Sequence, residues 1–420
     1  MSGKRSVLLV AQIAPPSSLV AARRVAAQCK YLGRAGYDVT VLTSAASGEG
    51  EIEGASAVVR TNDLLTSGLN WRRGQLAALG GDSRDTYKPP SRLASVVVPD
   101  LSLGTWLPFA LPAARRLARE RRFDCVLTTS PPPSTHLVGL ALRRRGIPWI
   151  AELRDGWTFE PPHPPWPLRV QHAADRALER RALTRADAVV AVTAPIAADA
   201  QRRLGVDAEL ITNGYDPDEV ASAPDRVDPL LDSKRHSFVH TGRLSLSGVS
   251  LRPLLDGLRL ASVESDDRFE VVFAGSVTEE ERLQLAAPDL AETVRFAGWL
   301  ERERALALQR AADTLLLVTE GAGRRSVATG KLFEYLAAGR PILVLGDQTE
   351  AARIVAEAVA GIAAPADDPR AIAEAVRSAV VEPLAAPAAE GRRDYAYPVL
   401  VERLAGVIER VSARPAAAGR

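Results

Sequence analysis

Residues 326–345 read SVATGKLFEYLAAGRPILVL, and the fold prediction begins from this stretch. Its polar start, its helix-forming run and its glycine and proline divide it into a loop, a short helix and a buried strand. Thr329 fits the N-cap of that helix, and the strand follows Gly339 and Pro341. Apolar runs and helical patterns alternate through the rest of the chain as well. This alternation predicts an α/β fold with parallel sheets and crossover helices.

The start of the predicted helix at residues 331–338 has the chemistry of an anion-binding site. Backbone amides at a helix start attract anions, and Gly330 lies at that point. Lys331 adds a mobile positive charge, and Glu334, about one turn further on, can accept hydrogen bonds from vicinal hydroxyls. Amides, an ammonium and a carboxylate within one turn suit a nucleoside diphosphate with its ribose.

Both halves of the chain are predicted to be Rossmann-like. In the first half the predicted strands are residues 6–11, 38–43, 124–129, 148–153, 188–192 and 208–212, and the predicted helices are 20–35, 111–122, 136–145 and 168–184. In the second half the strands are 237–240, 269–274, 293–296, 314–318 and 341–345, and the helices are 251–261, 279–285, 301–311, 331–338, 349–358 and 369–380. Residues 44–105 break this rhythm, and a loop of that length is usually functional or partly disordered.

The domain boundary is predicted near residue 225. Residues 213–233 are rich in Asp, Pro and Ala and lack periodicity, as a linker should. The predicted domains are 1–225 and 226–395, followed by a last amphipathic helix at 396–411 and a frayed tail at 412–420. Two facing halves would place the ligand beyond the carboxyl ends of the strands, in the cleft between them.

Composition restricts the possible classes of function. Lys and Arg number 53 against 51 Asp and Glu in 420 residues, so the net charge of +2 does not favour nucleic acid as a partner. No apolar stretch approaches the roughly 20 residues that span a bilayer. This predicts a cytoplasmic protein, with peripheral contact at the inner face of the membrane as the open alternative. Cys29 and Cys125 lie far apart in apolar surroundings and are interpreted as buried thiols rather than as a disulfide.

Residues 326–345 resemble the donor-site signature of the family 4 retaining glycosyltransferases, which have the GT-B fold. The resemblance extends over about residues 7–411. It implies a metal-independent, hexosyltransferase-type enzyme without a cofactor, which moves a sugar from a nucleoside diphosphate sugar to a hydroxyl acceptor with retention at the anomeric carbon. It also implies that residues 1–225 bind the acceptor, that 226–395 bind the donor, and that the last helix packs back toward the N-terminal domain.

The resemblance assigns donor-site roles in the second half. It places the donor diphosphate at Gly242 and Arg243 and the nucleotide ribose at Glu334. The remaining donor-binding assignments at the helix start are Gly330, Lys331 and Leu332. Many family members carry a glutamate eight residues before the ribose-binding one, where this chain has Ser326; Glu320 offers a displaced carboxylate nearby. An ordinary surface pair of Glu334 with Arg340 is the competing interpretation.

Catalytic assignments fall in the first half. Residues 129–136 read TSPPPSTH and residues 149–157 read WIAELRDGW, and both resemble motifs of one branch of the family. The resemblance places His136 near the reacting sugar, and Asp155 leaves a buried strand toward the predicted cleft. A merely packed histidine and an internal Arg154–Asp155 ion pair are the competing interpretations.

Acceptor contacts are predicted in the same half. The first strand-to-helix loop lacks the paired glycines of many relatives, and Ser17 and Ser18 lie there instead. Arg23 follows on the helix, where it could bind an anionic acceptor or simply be solvated. Arg154 and Trp157 complete the predicted acceptor-binding set. Trp157 and Trp166 could stack on sugar rings or on membrane lipid, or they could cap the core.

Alternatives remain open at the level of the sequence. Residues 106–122 combine apolar residues with arginines, which fits either an anionic membrane surface or a helix with a solvated arginine face. The acceptor is predicted to be a lipid-linked saccharide of a cell-surface polymer or a glycolipid, with a small-molecule secondary metabolite as the competitor. A sugar-nucleotide epimerase and a non-catalytic nucleotide-sugar-binding protein are the rival classes.

Overall fold

A computed structural model of the protein describes residues 4–17, 19–64, 97–161, 165–221, 228–244, 250–265, 268–319, 325–382 and 384–413. These residues form two compact units. Described residues up to 213, together with those from 397 onward, form the first unit, and those from 214 to 396 form the second.

The first unit contains a seven-stranded parallel sheet. Its strands are β1 (Ser6–Val10), β2 (Asp38–Ser44), β3 (Ala57–Thr61), β4 (Cys125–Ser130), β5 (Trp149–Leu153), β6 (Ala188–Ala191) and β7 (Ala208–Leu210), in the order β3-β2-β1-β4-β5-β6-β7. Its helices are α1 (Val20–Arg34), α2 (Ser102–Thr105), α3 (Leu107–Glu120), α4 (Thr135–Arg143), α5 (Arg169–Leu183) and α6 (Ala194–Leu204). The strand order reverses between β1 and β4, so the switch point of this sheet lies at their carboxyl ends.

The second unit repeats this architecture with six parallel strands. They are β8 (His236–Thr241), β9 (Phe269–Ala274), β10 (Val294–Gly298), β11 (Thr314–Val318), β12 (Ile342–Leu345) and β13 (Gly361–Ala364), in the order β10-β9-β8-β11-β12-β13. The helices are α7 (Pro217–Ala221), α8 (Arg252–Ser265), α9 (Glu279–Leu285), α10 (Arg302–Ala311), α11 (Gly330–Ala338), α12 (Glu350–Glu357), α13 (Pro369–Val381) and α14 (Ala389–Arg393). The switch point lies between β8 and β11.

The last helix, α15 (Tyr397–Ser412), returns to the first unit. Leu400, Leu404 and Val407 are buried in one core cluster with Val25 and Leu32 of α1. Each buried aliphatic side chain of this kind contributes about 1.5–3 kcal/mol. Apolar contact therefore ties the end of the chain to its beginning.

The predicted fold class of parallel α/β units is confirmed, although the sequence patterns missed several elements. β3 lies inside residues 44–105, which the sequence patterns left as an irregular loop, and α6 and β13 were not predicted either. The β13 sequence GIAA has one strong strand former, so only its pairing with β12 makes it a strand.

Burial describes the two cysteines and the arginine-rich residues 106–122 that the sequence analysis singled out. Cys29 and Cys125 are both free and buried, as predicted, and burial raises the pKa of both thiols, that of Cys29 to about 12. The arginines of α3 lie on a solvated face, while Trp106 and Leu107 are buried in the core. Among the helices that the structure describes, none is long and apolar enough to cross a membrane.

Candidate functional site

The switch point of the second sheet carries a cluster of nitrogen-bearing side chains, which we call the lysine site. It consists of His240 at the end of β8, Arg243 just after it, and Lys331 in the first turn of α11. Thr329 occupies the N-cap position of α11 with an extended backbone, although its side chain makes no capping hydrogen bond. The fold therefore brings a helix start and a mobile cation to the point where doubly wound sheets bind their ligands.

Lys331 is held by two hydrogen bonds. Its Nζ lies 3.1 Å from Nε2 of His240, and it also donates to the backbone oxygen of Arg243. Desolvation, followed by the nearby charge of Arg243, lowers the pKa of Lys331 to about 7. An anion bound here would restore the charged form of the lysine.

Glycines let the backbone come close to Lys331. Gly242 has a φ of +86°, and a Cβ atom on it would lie 3.3 Å from Cδ of Lys331. Gly275, after β9, has a φ of +145°, and a Cβ atom there would lie 2.2 Å from the backbone oxygen of Gly242. The turn after β8 therefore requires glycine both for its conformation and for its packing.

Glu334 is directed toward polar partners. Its Oε1 accepts from Nη1 of Arg302 at 3.0 Å, and its Oε2 accepts from Nε2 of Gln309 at 3.4 Å. Arg340, the partner that the sequence offered as an alternative, donates instead to the backbone oxygen of Arg310. A carboxylate has about four acceptor positions, so one group can accept from protein donors and from ligand hydroxyls.

A buried tyrosine and Gln309 join α11 and α10 to the end of β8. The Tyr335 hydroxyl accepts from the backbone N–H of Thr241 at 2.8 Å, and Gln309 donates from Nε2 to Oγ1 of Thr241 at 2.7 Å. The apolar face of α11 is buried as its sequence pattern predicted, with Leu332 and Phe333 fully inaccessible. The Leu332 side chain is thus closed to a ligand, and its backbone N–H donates to the oxygen of Thr329 at 3.1 Å.

Two further donor-site predictions lie upstream of α11. Ser326 is buried close to the start of the helix. Glu320 lies outside the described residues, so its predicted role stays a prediction. Among the predicted donor residues, the structure brings Gly242, Arg243 and Lys331 together, and it places Glu334 one turn along the same helix.

His136 in the first unit is entirely enclosed. Its Nδ1 lies 2.8 Å from Oγ1 of Thr128, and its ring stacks on Trp157 with centroids 5.8 Å apart. Burial lowers the pKa of His136 to about 3, so the ring is neutral at physiological pH. Its Nε2 makes no hydrogen bond within the described part of the chain. The ring is therefore fully packed in this structure, and its predicted role near the reacting sugar stays a prediction.

The two tryptophans near the WIAELRDGW motif belong to the core. Trp157 and Trp166 donate from Nε1 to the two carboxylate oxygens of Asp175, at 2.8 and 2.9 Å. Both rings are nearly inaccessible. The sequence offered two interpretations, stacking on a ligand and capping of the core, and the burial of both rings fits the second. Acceptor binding by Trp157 stays a prediction.

The end of β5 carries the predicted pair Arg154 and Asp155. Arg154 donates to the backbone oxygens of Ser130 at 2.9 Å and of Ala21 at 2.5 Å, so it links the ends of neighbouring strands to α1. Asp155 follows it and is half-buried. Arg154 thus has a structural role in the first unit. The carboxylate of Asp155 is more exposed than that of Glu152, which is fully buried in β5.

A buried ion pair lies beside them that the sequence patterns did not single out. Oε1 of Glu152 accepts from Nη2 of Arg24 at 2.8 Å and from Nε2 of Gln28 at 2.8 Å. Burial alone would raise the pKa of Glu152, but the charge and hydrogen bonds of Arg24 lower it overall, with help from Thr129. A glutamate inside a buried strand requires a cation, and that was the available signal.

The predicted residues of the first loop are only partly described. Ser17 donates its backbone N–H to the oxygen of Ala14 at 3.2 Å, and Arg23 is half-buried on α1 next to the fully enclosed Arg24. Ser18 lies outside the described residues. Acceptor binding by these residues stays a prediction.

Two doubly wound units with polar residues at the carboxyl ends of their strands define an α/β protein of the class that binds ligands at sheet switch points. Residues 21–219 match the family model described as Glycosyltransferase Family 4, and residues 235–381 match the one described as Glycosyl transferases group 1. The two halves of the chain therefore match different glycosyltransferase models, family 4 in the first half and group 1 in the second.

Solved structures share the fold over nearly the whole chain. A glycosyltransferase from Rickettsia africae ESF-5 is 12% identical with a TM-score of 0.60, and covers 98% of this chain and 99% of its own. Anabaena Alr3699/HepE in complex with UDP is 13% identical with a TM-score of 0.61, and the match covers 97% of this chain and 100% of that one. An α,α-trehalose 6-phosphate synthase from Burkholderia multivorans is 16% identical with a TM-score of 0.64, and the match covers 98% of this chain and 99% of that one. The predicted GT-B fold is confirmed. No curated protein sequence matches the chain.

Proposed function

We propose that this protein is a retaining glycosyltransferase that binds a nucleoside diphosphate sugar in its second unit and transfers the sugar to a hydroxyl acceptor. The observation that carries the proposal is the lysine site: Lys331 sits at the start of α11, bonded to the turn that bears Arg243, with Glu334 one turn on. A helix start, two cations and a carboxylate complement a diphosphate and a ribose.

Each donor residue has a distinct role in the proposal. The guanidinium of Arg243, the ammonium of Lys331 and the backbone N–H of Gly330 neutralise the diphosphate, and Glu334 accepts from the ribose hydroxyls. The HepE structures in complex with UDP and with UDP-glucose support a donor of this class.

Catalysis follows from where charge develops. As the bond from the anomeric carbon to phosphate breaks, negative charge grows on the leaving diphosphate, and Lys331 and Arg243 stabilise it without a metal ion. Retention then uses a front-face path, with the leaving phosphate taking the acceptor proton, or a covalent intermediate. Asp155 is the proposed first-unit carboxylate at the reaction centre. His136, which is neutral and enclosed, is the second residue of the first unit that the proposal assigns to this centre.

The acceptor is proposed to be a saccharide or a lipid-linked saccharide of a cell-surface polymer, in a cytoplasmic reaction. A trehalose-phosphate synthase from Burkholderia xenovorans was solved in complex with glucose-6-phosphate, a sugar with an anionic group. Basic residues of the first unit, such as Arg23, suit an anionic acceptor of this kind.

Glu334→Ala is expected to weaken binding of a nucleoside diphosphate about 10- to 100-fold, because charge-assisted hydrogen bonds to the ribose are lost. The measurement is the rise in melting temperature with UDP, GDP and ADP, since a ligand that binds the folded state stabilises it by mass action. Glu303→Ala, which removes an exposed carboxylate of α10, is the matched control and should keep the full shift. An undiminished shift in Glu334→Ala contradicts the assignment.

Binding of the diphosphate is expected to take up a proton above pH 7. The pKa of Lys331 is about 7 in the free protein, and a bound anion raises it. Besides Lys331, His240, Arg243 and Glu281 face this site. The dissociation constant should therefore rise up to about tenfold per pH unit above 7. Calorimetry in buffers of different ionisation enthalpy measures the proton uptake, which should vanish in Lys331→Ala. Equal uptake in both proteins would refute the prediction.

Turnover separates the proposal from its rivals. Release of nucleoside diphosphate that depends on an added acceptor supports a transferase. Conversion of the sugar nucleotide without an acceptor indicates an epimerase. Binding with no turnover against a broad acceptor panel indicates a non-catalytic nucleotide-sugar-binding protein.

A further inference from the structure

His240 is a buried histidine at the switch point of the second sheet, next to the proposed diphosphate site. It is the last residue but one of β8 and is fully inaccessible. Its Nδ1 lies 2.9 Å from the backbone oxygen of Leu316 in β11, and its Nε2 lies 3.1 Å from Nζ of Lys331. The imidazole therefore connects the sheet directly to the lysine.

The partners of the ring determine where its proton resides. Only a hydrogen on Nδ1 satisfies both ring nitrogens, because Nδ1 then donates to the carbonyl oxygen of Leu316 and Nε2 accepts from the Lys331 amine. Burial, and then the charge of Lys331, lower the pKa of His240 to about 3, so the ring carries a single N–H. Nε2 is thus an unprotonated acceptor. It cannot donate to the backbone oxygen of Arg243, 3.1 Å away, and it receives a hydrogen bond from Lys331.

In the charged form that a bound anion favours, Lys331 has three N–H donors, and two of them are directed by these contacts. One points to Nε2 of His240 and one to the backbone oxygen of Arg243. Within the described chain, this leaves the third N–H for a ligand oxygen. A lysine side chain has four flexible bonds, so fixing two donors selects one direction for the third.

We propose that His240 is a positioning residue that orients the Lys331 ammonium toward the diphosphate of the donor. The inference rests on the proposed function, because it concerns the same site. It adds a residue that the sequence patterns treated only as part of a strand. His240 itself does not touch the ligand; it acts through Lys331.

His240→Leu is expected to weaken binding of UDP, GDP and ADP about tenfold, because the acceptor for Lys331 is lost. His240→Gln restores an acceptor near the Nε2 position and should bind within about threefold of the wild type. Should the leucine variant fail to fold, His240→Asn replaces it: asparagine keeps a donor near Nδ1 for Leu316 but offers no acceptor to Lys331. Binding is measured by calorimetry at pH 7.5 on the full chain.

A second readout separates positioning from a merely structural role. The chain has lysine only at positions 4, 30, 88, 234 and 331, so carbon-13 labelling of lysine gives a spectrum simple enough to follow Lys331 through a pH titration. Loss of the acceptor disfavours the ammonium, so the pKa of Lys331 should fall in His240→Leu and return in His240→Gln. The groups that face Lys331, namely Arg243 and Glu281, are unchanged in both variants.

The outcomes distinguish this inference from the proposed function. If Lys331→Ala abolishes binding while His240→Leu binds and titrates as the wild type does, the role of His240 is refuted and the donor site stands. If Lys331→Ala binds the nucleotides normally, the donor site falls and the role of His240 falls with it. Weakened binding and a lowered pKa of Lys331 in His240→Leu, both reversed in His240→Gln, support the inference.

Discussion

Lys331→Ala is expected to lower sugar transfer about 10²- to 10³-fold, the largest catalytic effect that we predict for one substitution. The reason is that an ammonium fixed beside a leaving group is worth most in the transition state, when charge accumulates on the diphosphate. Lys331 is held for this task by His240 and by the backbone of Arg243. The measurement is the acceptor-dependent release of nucleoside diphosphate from UDP-, GDP- and ADP-linked sugars.

Lys234→Ala provides the control for that loss. Lys234 is exposed and belongs to the same unit, just before β8, so its removal changes the net charge equally without touching the lysine site. It should retain full turnover. If Lys331→Ala keeps more than about half of the wild-type rate, the account of leaving-group stabilisation is wrong.

Glu152→Gln is expected to destabilise the first unit by about 3–5 kcal/mol, because it leaves the guanidinium of Arg24 buried without a counter-charge. Side-chain exposure is 4% for Arg24 and 0% for Glu152, so solvent does little to screen the pair. The partners lower the pKa of Glu152. Its contribution is therefore present at neutral pH and is lost as the pH falls through that lowered pKa.

The matched control uses a second pair on the same helix. Glu53 pairs with Arg34 of α1, but the two side chains are 66% and 51% exposed, so Glu53→Gln should cost about 0–1 kcal/mol. Urea unfolding followed by tryptophan fluorescence reports mainly on the first unit, which contains Trp106, Trp149, Trp157 and Trp166. Equal destabilisation by the two substitutions would show that burial of the Arg24 pair has no special weight.

Sequence patterns predicted the fold well where the local signals for an element are strong. The strand at 269–274 and the helix at 279–285 have the predicted bounds, because each carries a complete local signal. In α11, the burial of Leu332 and Phe333 followed from helical spacing alone. Local pattern is sufficient when a segment's own side chains determine its conformation and its buried face.

Burial of polar residues could not be predicted in the same way. Arg23 and Arg24 are neighbours in sequence, yet only Arg24 is enclosed. Its partner Glu152 lies 128 positions away in the sequence, so no local pattern could indicate which of the two arginines is buried. His240 looked like an ordinary strand residue until β11 and α11 supplied its two partners. Trp157 looked like a possible surface platform until Asp175 and His136 enclosed it. These environments arise from tertiary contacts.

The central claim is that the start of α11 holds the diphosphate of an activated sugar. A crystal structure with a bound nucleoside diphosphate tests it most directly. The account predicts phosphate oxygens within hydrogen-bond distance of Nζ of Lys331 and of the backbone N–H of Gly330, with the ribose hydroxyls on Glu334. A nucleotide bound elsewhere, with Lys331 still directed only to His240 and Arg243, would contradict it.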